Sequence, residues 1–259
     1  MNSEVRRRIR IIGAPIDALD WSVVVERISR WATKGESRVV CICNAHSVVT
    51  SKKDERFLRI ISEADMATPD GAPVAWMIRM LGMFNQSRIN GPDLMWRYCA
   101  YAEKVGEKVY LYGASESTLE KLQVNLLNSF PALKIVGAYS PPFRALSVEE
   151  DKAIVDHINR SGARVVWVGL GCPKQEQWMA AHRDFIQAVM IGVGAAFDYH
   201  AGTVLRAPLW MQRYGLEWFY RLLNEPRRLW RRYLITNTLF IWYAACQLLF
   251  SRRRGSYLE

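Results

Sequence analysis

The chain alternates two textures of apolar and polar positions. Six short runs, "IRIIGAPI", "RVVCIC", "KVYLYG", "LKIVGAY", "ARVVWVG" and "AVMIGVG", string apolar and β-branched residues together without a polar residue at every second position. That pattern predicts strands buried on both faces, as in a parallel sheet. Between them, segments such as "WSVVVERISRWA", "SESTLEKLQVNLLNSF" and "SVEEDKAIVDHINRSG" repeat their apolar residues at helical spacing. Strands alternating with helices predict a layered α/β domain built on a mostly parallel sheet. No internal repeat or low-complexity linker interrupts the pattern.

The texture changes near Arg206. Strand-like runs cease there, and arginine and tryptophan become dense. We therefore expect an α/β domain over residues 1–205 and a helical appendage over 206–259. A chain of 259 residues has room for one substantial core and such an appendage.

Charge sharpens that division. The net charge is +10, and the segment from Leu205 onward, with ten arginines, three glutamates and no lysine, holds +7 of it. Charge this localised points to an anionic partner of the tail. In "YRLLNEPRRLWRRY", Pro226 can open a helix on which Arg227, Arg228, Arg231 and Arg232 share one face. The following 18 residues, Tyr233 to Phe250, are apolar but interrupted by Thr236, Asn237, Thr238 and Gln247. As a helix they would reach about 27 Å, barely the thickness of a bilayer core. Arginine clusters flank the run on both sides, so spanning would carry one cluster across the membrane. The expectation is a helix lying in the interface of a membrane bearing anionic lipids. No nucleic-acid motif accompanies the charge, so a nucleic-acid partner is not expected. Five cysteines without a C-x-x-C pair suit a reducing compartment, and the N-terminus lacks the apolar core of a signal peptide.

Three strands end in glycine turns that open into helices: "VYLYGASES", "VVWVGLGCPKQEQW" and "MIGVGAAFDYHAG". At the carboxyl ends of parallel strands such turns let a phosphate approach backbone N–H groups. The dinucleotide fingerprint is missing, because "GLGCPK" and "GVGAAF" both lack the third glycine, which argues against a Rossmann-type oxidoreductase. Two other strand ends carry chemistry. "ATPDGAPVAW" sets Asp70 in a Pro-Asp-Gly turn ahead of a helix, where it reads either as turn chemistry or as a general base. "CICNAHS" sets Asn44 and His46 where ligands sit. No carboxylate pair of the metal-binding kind appears, so we expect no metal and no cofactor. A bound diphosphate would then be balanced by other charges. A non-catalytic membrane-binding module is the rival reading, and it would make Asp70 dispensable.

The blocks "CNAHSVV", "TPDGAPVAW", "RINGPDL", "YGASES", "GLGCPKQEQW", "GVGAAFDYHAGTVLRAP" and "GLEWFYRLLNEPRRLWRRY" resemble, in this order, those of the WecG/TagA/CpsF glycosyltransferases. The resemblance covers roughly residues 8 to 245. It implies a Rossmann-like fold with helices on both faces of the sheet, and an inverting, metal-independent transfer. In that transfer a sugar moves from a UDP-sugar, a co-substrate rather than a cofactor, to a polyprenyl-diphosphate-linked saccharide at the cytoplasmic membrane face. It also implies roles. Asp70 would be the base, with Asn44 and Arg88 in the active pocket and Gln175 as the polar residue of P-K-Q-E. Gly113, Ala114, Gly171 and Asp198 would lie near the donor nucleotide, and Arg221, Arg228 and Arg231 of the appendage would complete the site. The form C-N-x-H-S resembles the exopolysaccharide branch of the family, which favours glucose as the donor sugar; the alternative is N-acetylmannosamine or N-acetylmannosaminuronic acid. A homo-oligomer is compatible with this reading.

Overall fold

In the computed structural model, which describes residues 6–251, the fully buried apolar runs become the middle of a sheet. The strands are β1 (Arg8–Ile11), β2 (Ala14–Asp17), β3 (Arg38–Cys43), β4 (Met66–Pro69), β5 (Lys108–Gly113), β6 (Lys134–Tyr139), β7 (Val165–Gly169) and β8 (Val189–Gly192). The helices are α1 (Trp21–Lys34), α2 (Ala45–Lys53), α3 (Glu55–Glu63), α4 (Ala72–Met80), α5 (Gly91–Val105), α6 (Glu116–Ser129), α7 (Val148–Ser161), α8 (Lys174–Ala181), α9 (Ala196–His200), α10 (Leu209–Arg213), α11 (Glu217–Asn224) and α12 (Pro226–Ser251).

Strands β3 to β8 form one six-stranded sheet in the order β4-β3-β8-β7-β5-β6, with parallel pairing from β3 through β8, β7 and β5 to β6. Helices flank it, which makes the expected α/β fold. Every residue of β8 and the first four of β7 are buried, so these strands have no position that water would reward for being polar. The edge strand β6 is only half-buried.

One expected strand is corrected. "IRIIGAPI" is not a strand of the parallel sheet but a hairpin, β1 pairing antiparallel with β2 in a separate two-stranded sheet. Ile12 and Gly13, with φ of 54° and 97°, make its two-residue turn. Positive φ at both central positions is the turn that matches the twist of paired strands, and glycine supplies half of it without strain.

The chain divides into two compact units. Unit 2 takes Ser22–Cys41 and Asn90–Leu205, including β5 to β8. Unit 1 gathers the described residues of Met1–Trp21, Ile42–Ile89 and Arg206–Glu259, so the last helices pack with elements from the first third of the chain. Within it α12 lies on α2 and α11. The basic and apolar stretches of the tail form one continuous helix of 26 residues, about 39 Å long, and it begins at Pro226 as the sequence suggests. Leu229, Thr236, Phe240 and Ala244 are its buried stripe, while Leu234, Ile235, Ile241, Trp242, Leu249 and Phe250 are exposed. The second arginine cluster, Arg252 to Arg254, lies outside the described residues.

Candidate active site

Asp70 sits at the carboxyl end of β4, on a strand whose four residues are all buried. Its backbone N–H donates to the Cys43 carbonyl at 2.9 Å, fixing it beside the end of β3. Gly71 follows with φ of 78° and starts α4, so the Pro-Asp-Gly turn is a strand-to-helix corner with an acid at its apex. The residue keeps part of its surface open, but protein atoms crowd its carboxyl. That burial pushes the group up from its ordinary 3.8 to about 6. Arg88 pulls it down, Glu217 pushes it up, and the Gly71 N–H and Arg206 pull it down. A carboxylate with a proton affinity poised near neutrality is the form a general base needs.

Arg88 comes to this place through its neighbour. The Ile89 N–H donates to the Pro69 carbonyl at 2.9 Å, so the segment carrying Arg88 runs along the end of β4, next to Asp70. The Arg88 Nη1 then donates to Glu217 Oε2 at 2.9 Å, and Arg206 Nε lies 3.7 Å from Glu217 Oε1. All three side chains are largely buried, at 17%, 19% and 24% exposure for Arg88, Glu217 and Arg206. Neither Glu217 nor Arg206 stands out in the sequence. Both lie in blocks already quoted, "GLEW" and "LRAP", but nothing local shows that they meet Arg88.

Asn44 has a defined local task. It caps α2, its Oδ1 accepting from the backbone N–H of His46 at 3.0 Å and of Ser47 at 3.2 Å. An added Cβ on Gly71 would lie 4.0 Å from the Asn44 Cβ, which places this cap at the corner that bears Asp70. His46 Nδ1 is 3.4 Å from Thr236 Oγ1 of α12, and burial together with Arg232 lowers its imidazole to about 4, so it is neutral at physiological pH.

The three appendage arginines do not share one environment. Arg221 is half-buried, and its charge is felt by the phenol of Tyr233. Arg228 is exposed and pairs with Glu225 one turn back. Arg231 is exposed too, its guanidinium 5.2 Å from the ring centre of Trp230.

The remaining positions belong to unit 2. Gly113, with φ of 120°, ends β5 so close to β7 that an added Cβ would stand 2.7 Å from the Gly169 backbone, and Ala114 follows with φ of 59°. Gly171 has φ of 78° and donates its N–H to Gln175 Oε1 at 3.1 Å, while Gln175 Nε2 donates to Glu176 Oε1 at 2.9 Å. Gln175 is thus buried as a brace of the P-K-Q-E turn. A Cβ on Gly194 would lie 3.5 Å from its Oε1, so the turns after β7 and β8 meet at this side chain. Half-buried Asp198, on α9, offers its backbone carbonyl to the N–H groups of Thr203 and Val204. Among the described residues no group of three or more His, Cys, Asp or Glu side chains is arranged to hold a metal ion.

A half-buried acid beside an arginine at a strand end, with glycine turns closing parallel strands elsewhere, fits several transferases; comparison with known proteins narrows the choice. The profile of the glycosyl transferase WecG/TagA/CpsF family matches residues 9–254. The chain belongs to that family. One relative of this glycosyltransferase is the N-acetylglucosaminyldiphosphoundecaprenol N-acetyl-beta-D-mannosaminyltransferase of Bacillus subtilis, 34% identical over 197 residues, covering 76% of this chain and 75% of the relative. The protein of the same name from Bacillus spizizenii is 32% identical over 227 residues, covering 85% and 86%. Both names match the N-acetylmannosamine alternative rather than the glucose preferred from C-N-x-H-S. Of the four residues that C-N-x-H-S names, Cys43 ends β3, Asn44 caps α2 and His46 and Ser47 belong to its first turn, so the pattern reports a strand-to-helix corner and not a sugar.

Proposed function

We propose that this glycosyltransferase moves N-acetylmannosamine from its UDP conjugate to N-acetylglucosamine carried on a polyprenyl diphosphate, at the cytoplasmic face of the membrane. The observation that carries the reading is Asp70, a carboxylate raised to about 6 beside Arg88 at the end of β4, in a chain whose relatives are mannosaminyltransferases. In our reading Asp70 takes the proton from the acceptor hydroxyl as that oxygen attacks the anomeric carbon and UDP departs from the opposite side. UDP-sugars of this kind are α-linked and the relatives' names specify a β product, which supports inversion in a single displacement. Arginines stabilise the departing diphosphate in place of a metal ion. Asn44 shapes the pocket at the Asp70 corner, Gln175 braces the turn that carries Gly171, and Gly113, Ala114, Gly171 and Asp198 meet the nucleotide. Arg221, Arg228 and Arg231 supply positive charge from the tail.

The tail supports peripheral attachment. By length and composition Pro226–Phe250 is long and apolar enough to cross a membrane. Its Thr236 and Gln247, however, are turned onto unit 1, with Gln247 bonded to the β1–β2 turn. The apolar side faces outward, the arrangement of a helix lying in the interface with arginines at headgroup level.

A panel of UDP-sugars offered with a short-chain lipid-diphosphate N-acetylglucosamine, the product read by mass spectrometry and NMR, tests the proposal. We expect a β-linked N-acetylmannosaminyl disaccharide. Transfer from UDP-glucose or the uronic acid donor alone would overturn the donor assignment, and transfer from none would overturn the reaction.

A further inference from the structure

We propose that Glu217 is a positioning residue for the transfer: planted at the start of α11, it holds the Arg88 guanidinium, together with Arg206, beside Asp70. The C-terminal helices thereby set both the aim of an active-site cation and the charge around the base. This inference rests on Asp70 and Arg88 serving the transfer, and it adds an acidic residue from a tail otherwise notable for its arginines.

The geometry builds from the glycine of "GLEW". Gly215 has φ of 73°, and a Cβ there would meet the Ala72 Cβ at 2.7 Å and the Trp76 ring at 3.3 Å. Only a residue without a side chain lets the turn before α11 press this closely on α4, the helix that starts immediately after Asp70 and Gly71. Two residues later Glu217 reaches Arg88 at 2.9 Å, a bond between side chains 17% and 19% exposed. A long arginine left without such a partner explores many rotamers. A charge-assisted bond in a poorly hydrated place selects one. A carboxylate in the first turn of α11 is also favoured by that helix's dipole.

The charged groups that act on Asp70 are Arg88 from the segment before α5, Glu217 from α11 and Arg206 from the segment before α10, with the Gly71 N–H from its own corner. Glu217 is the single anion in this set. Its presence beside Asp70 opposes loss of the acid's proton, whereas the two arginines favour it.

The test reads Asp70 directly. Aspartate labelled with ¹³C at the carboxyl carbon is introduced into the full chain, and the Asp70 signal is assigned by its loss in Asp70→Asn. In Glu217→Gln the Asp70 midpoint should fall by about half a pH unit or more, because a repulsive charge is gone. In Arg206→Gln it should rise, because an attractive one is gone. Turnover in Glu217→Gln should drop roughly tenfold to a hundredfold from misaimed Arg88. Glu217→Asp keeps the charge but is too short for the bond, so its midpoint should stay near that of the wild type while turnover still falls. An unmoved midpoint in folded Glu217→Gln, or full turnover in Glu217→Asp, would overturn the proposal. If Glu217→Gln does not fold, Arg206→Gln carries the test with the opposite sign. The titration needs no substrate, so a wild-type protein that transfers no sugar yet shows these shifts would sink the proposed reaction and leave the placement of Glu217 standing.

Discussion

Gln247 clasps the chain where β1 enters its turn at Ile12: its Oε1 accepts from the Ile12 N–H at 2.7 Å and its Nε2 donates to the Arg10 carbonyl at 2.6 Å. A glutamine in the apolar half of α12 is therefore an anchor point, and it tells the helix which side is inward. Replacing it with leucine deprives two backbone groups of their partner. We expect Gln247→Leu to lower stability by about 1 to 3 kcal/mol, measured by denaturant unfolding of the detergent-free protein.

The base assignment is checked by turnover. Asp70→Asn should reduce transfer by roughly 10²-fold or more while UDP binding stays nearly unchanged. In the wild type, kcat/KM should fall on the acid side with a midpoint near pH 6, the value to which burial raises this carboxyl. A variant that kept most of its turnover would remove Asp70 from the mechanism.

The same shift has a consequence for stability, with the opposite appearance. A carboxyl that binds its proton more tightly in the folded chain costs nothing below its ordinary 3.8, where both states are protonated. The cost grows as pH rises towards 6 and is complete above it. It corresponds to an upper bound of about 3 kcal/mol, reduced by whatever water reaches the group. Asp70→Asn should accordingly raise Tm at pH 7.5, and the gain should shrink as pH falls to 4.5.

Activity should survive excess EDTA to within about twofold, because in the proposed reaction arginines take the place of a divalent ion at the departing diphosphate. Loss of transfer in chelator, restored by magnesium or manganese, would contradict this.

Attachment to the membrane is best probed by point changes on the outward side of α12, since removing the tail would also uncover α2, on which α12 lies. Ile235 and Trp242 are 53% and 64% exposed, so charging them leaves the packing intact. Ile235→Glu with Trp242→Glu should weaken sedimentation with vesicles of anionic phospholipid at least tenfold, the loss of roughly 1.4 kcal/mol. Turnover on a short-chain soluble acceptor should persist.

How much of this was legible depends on how local each signal is. The strands β5, β7 and β8 announced themselves because both faces are buried, so no polar residue broke the run. The β1–β2 hairpin was hidden because its signals are short: Arg8, Ile9, Arg10 and Ile11 alternate over only four residues, β2 is buried throughout, and Gly13 is the single mark of a turn. Asp70 could be found because proline and glycine fence it at a strand end. Glu217 could not, because Arg88 lies 129 positions away and a pairing at that separation leaves no periodicity. Arg228 and Arg231 are grouped with Arg221 by family pattern, although they stand exposed on α12 and Arg221 is half-buried on α11.

The clasp between Ile12 and Gln247 joins positions 235 apart, and the chain between them visits unit 1 again before leaving it for all of Asn90–Leu205. Unit 1 is therefore complete only when the helices after Leu205 have joined the segments that precede Asn90. Its hairpin and the Asp70 corner come early in the chain, whereas Glu217 meets Arg88 across 129 positions and Gln247 meets Ile12 across 235. The docking that brings Glu217 among the charges around Asp70 is therefore also the docking that turns the apolar face of α12 outward. Before the tail docks the protein has neither, and docking supplies both together.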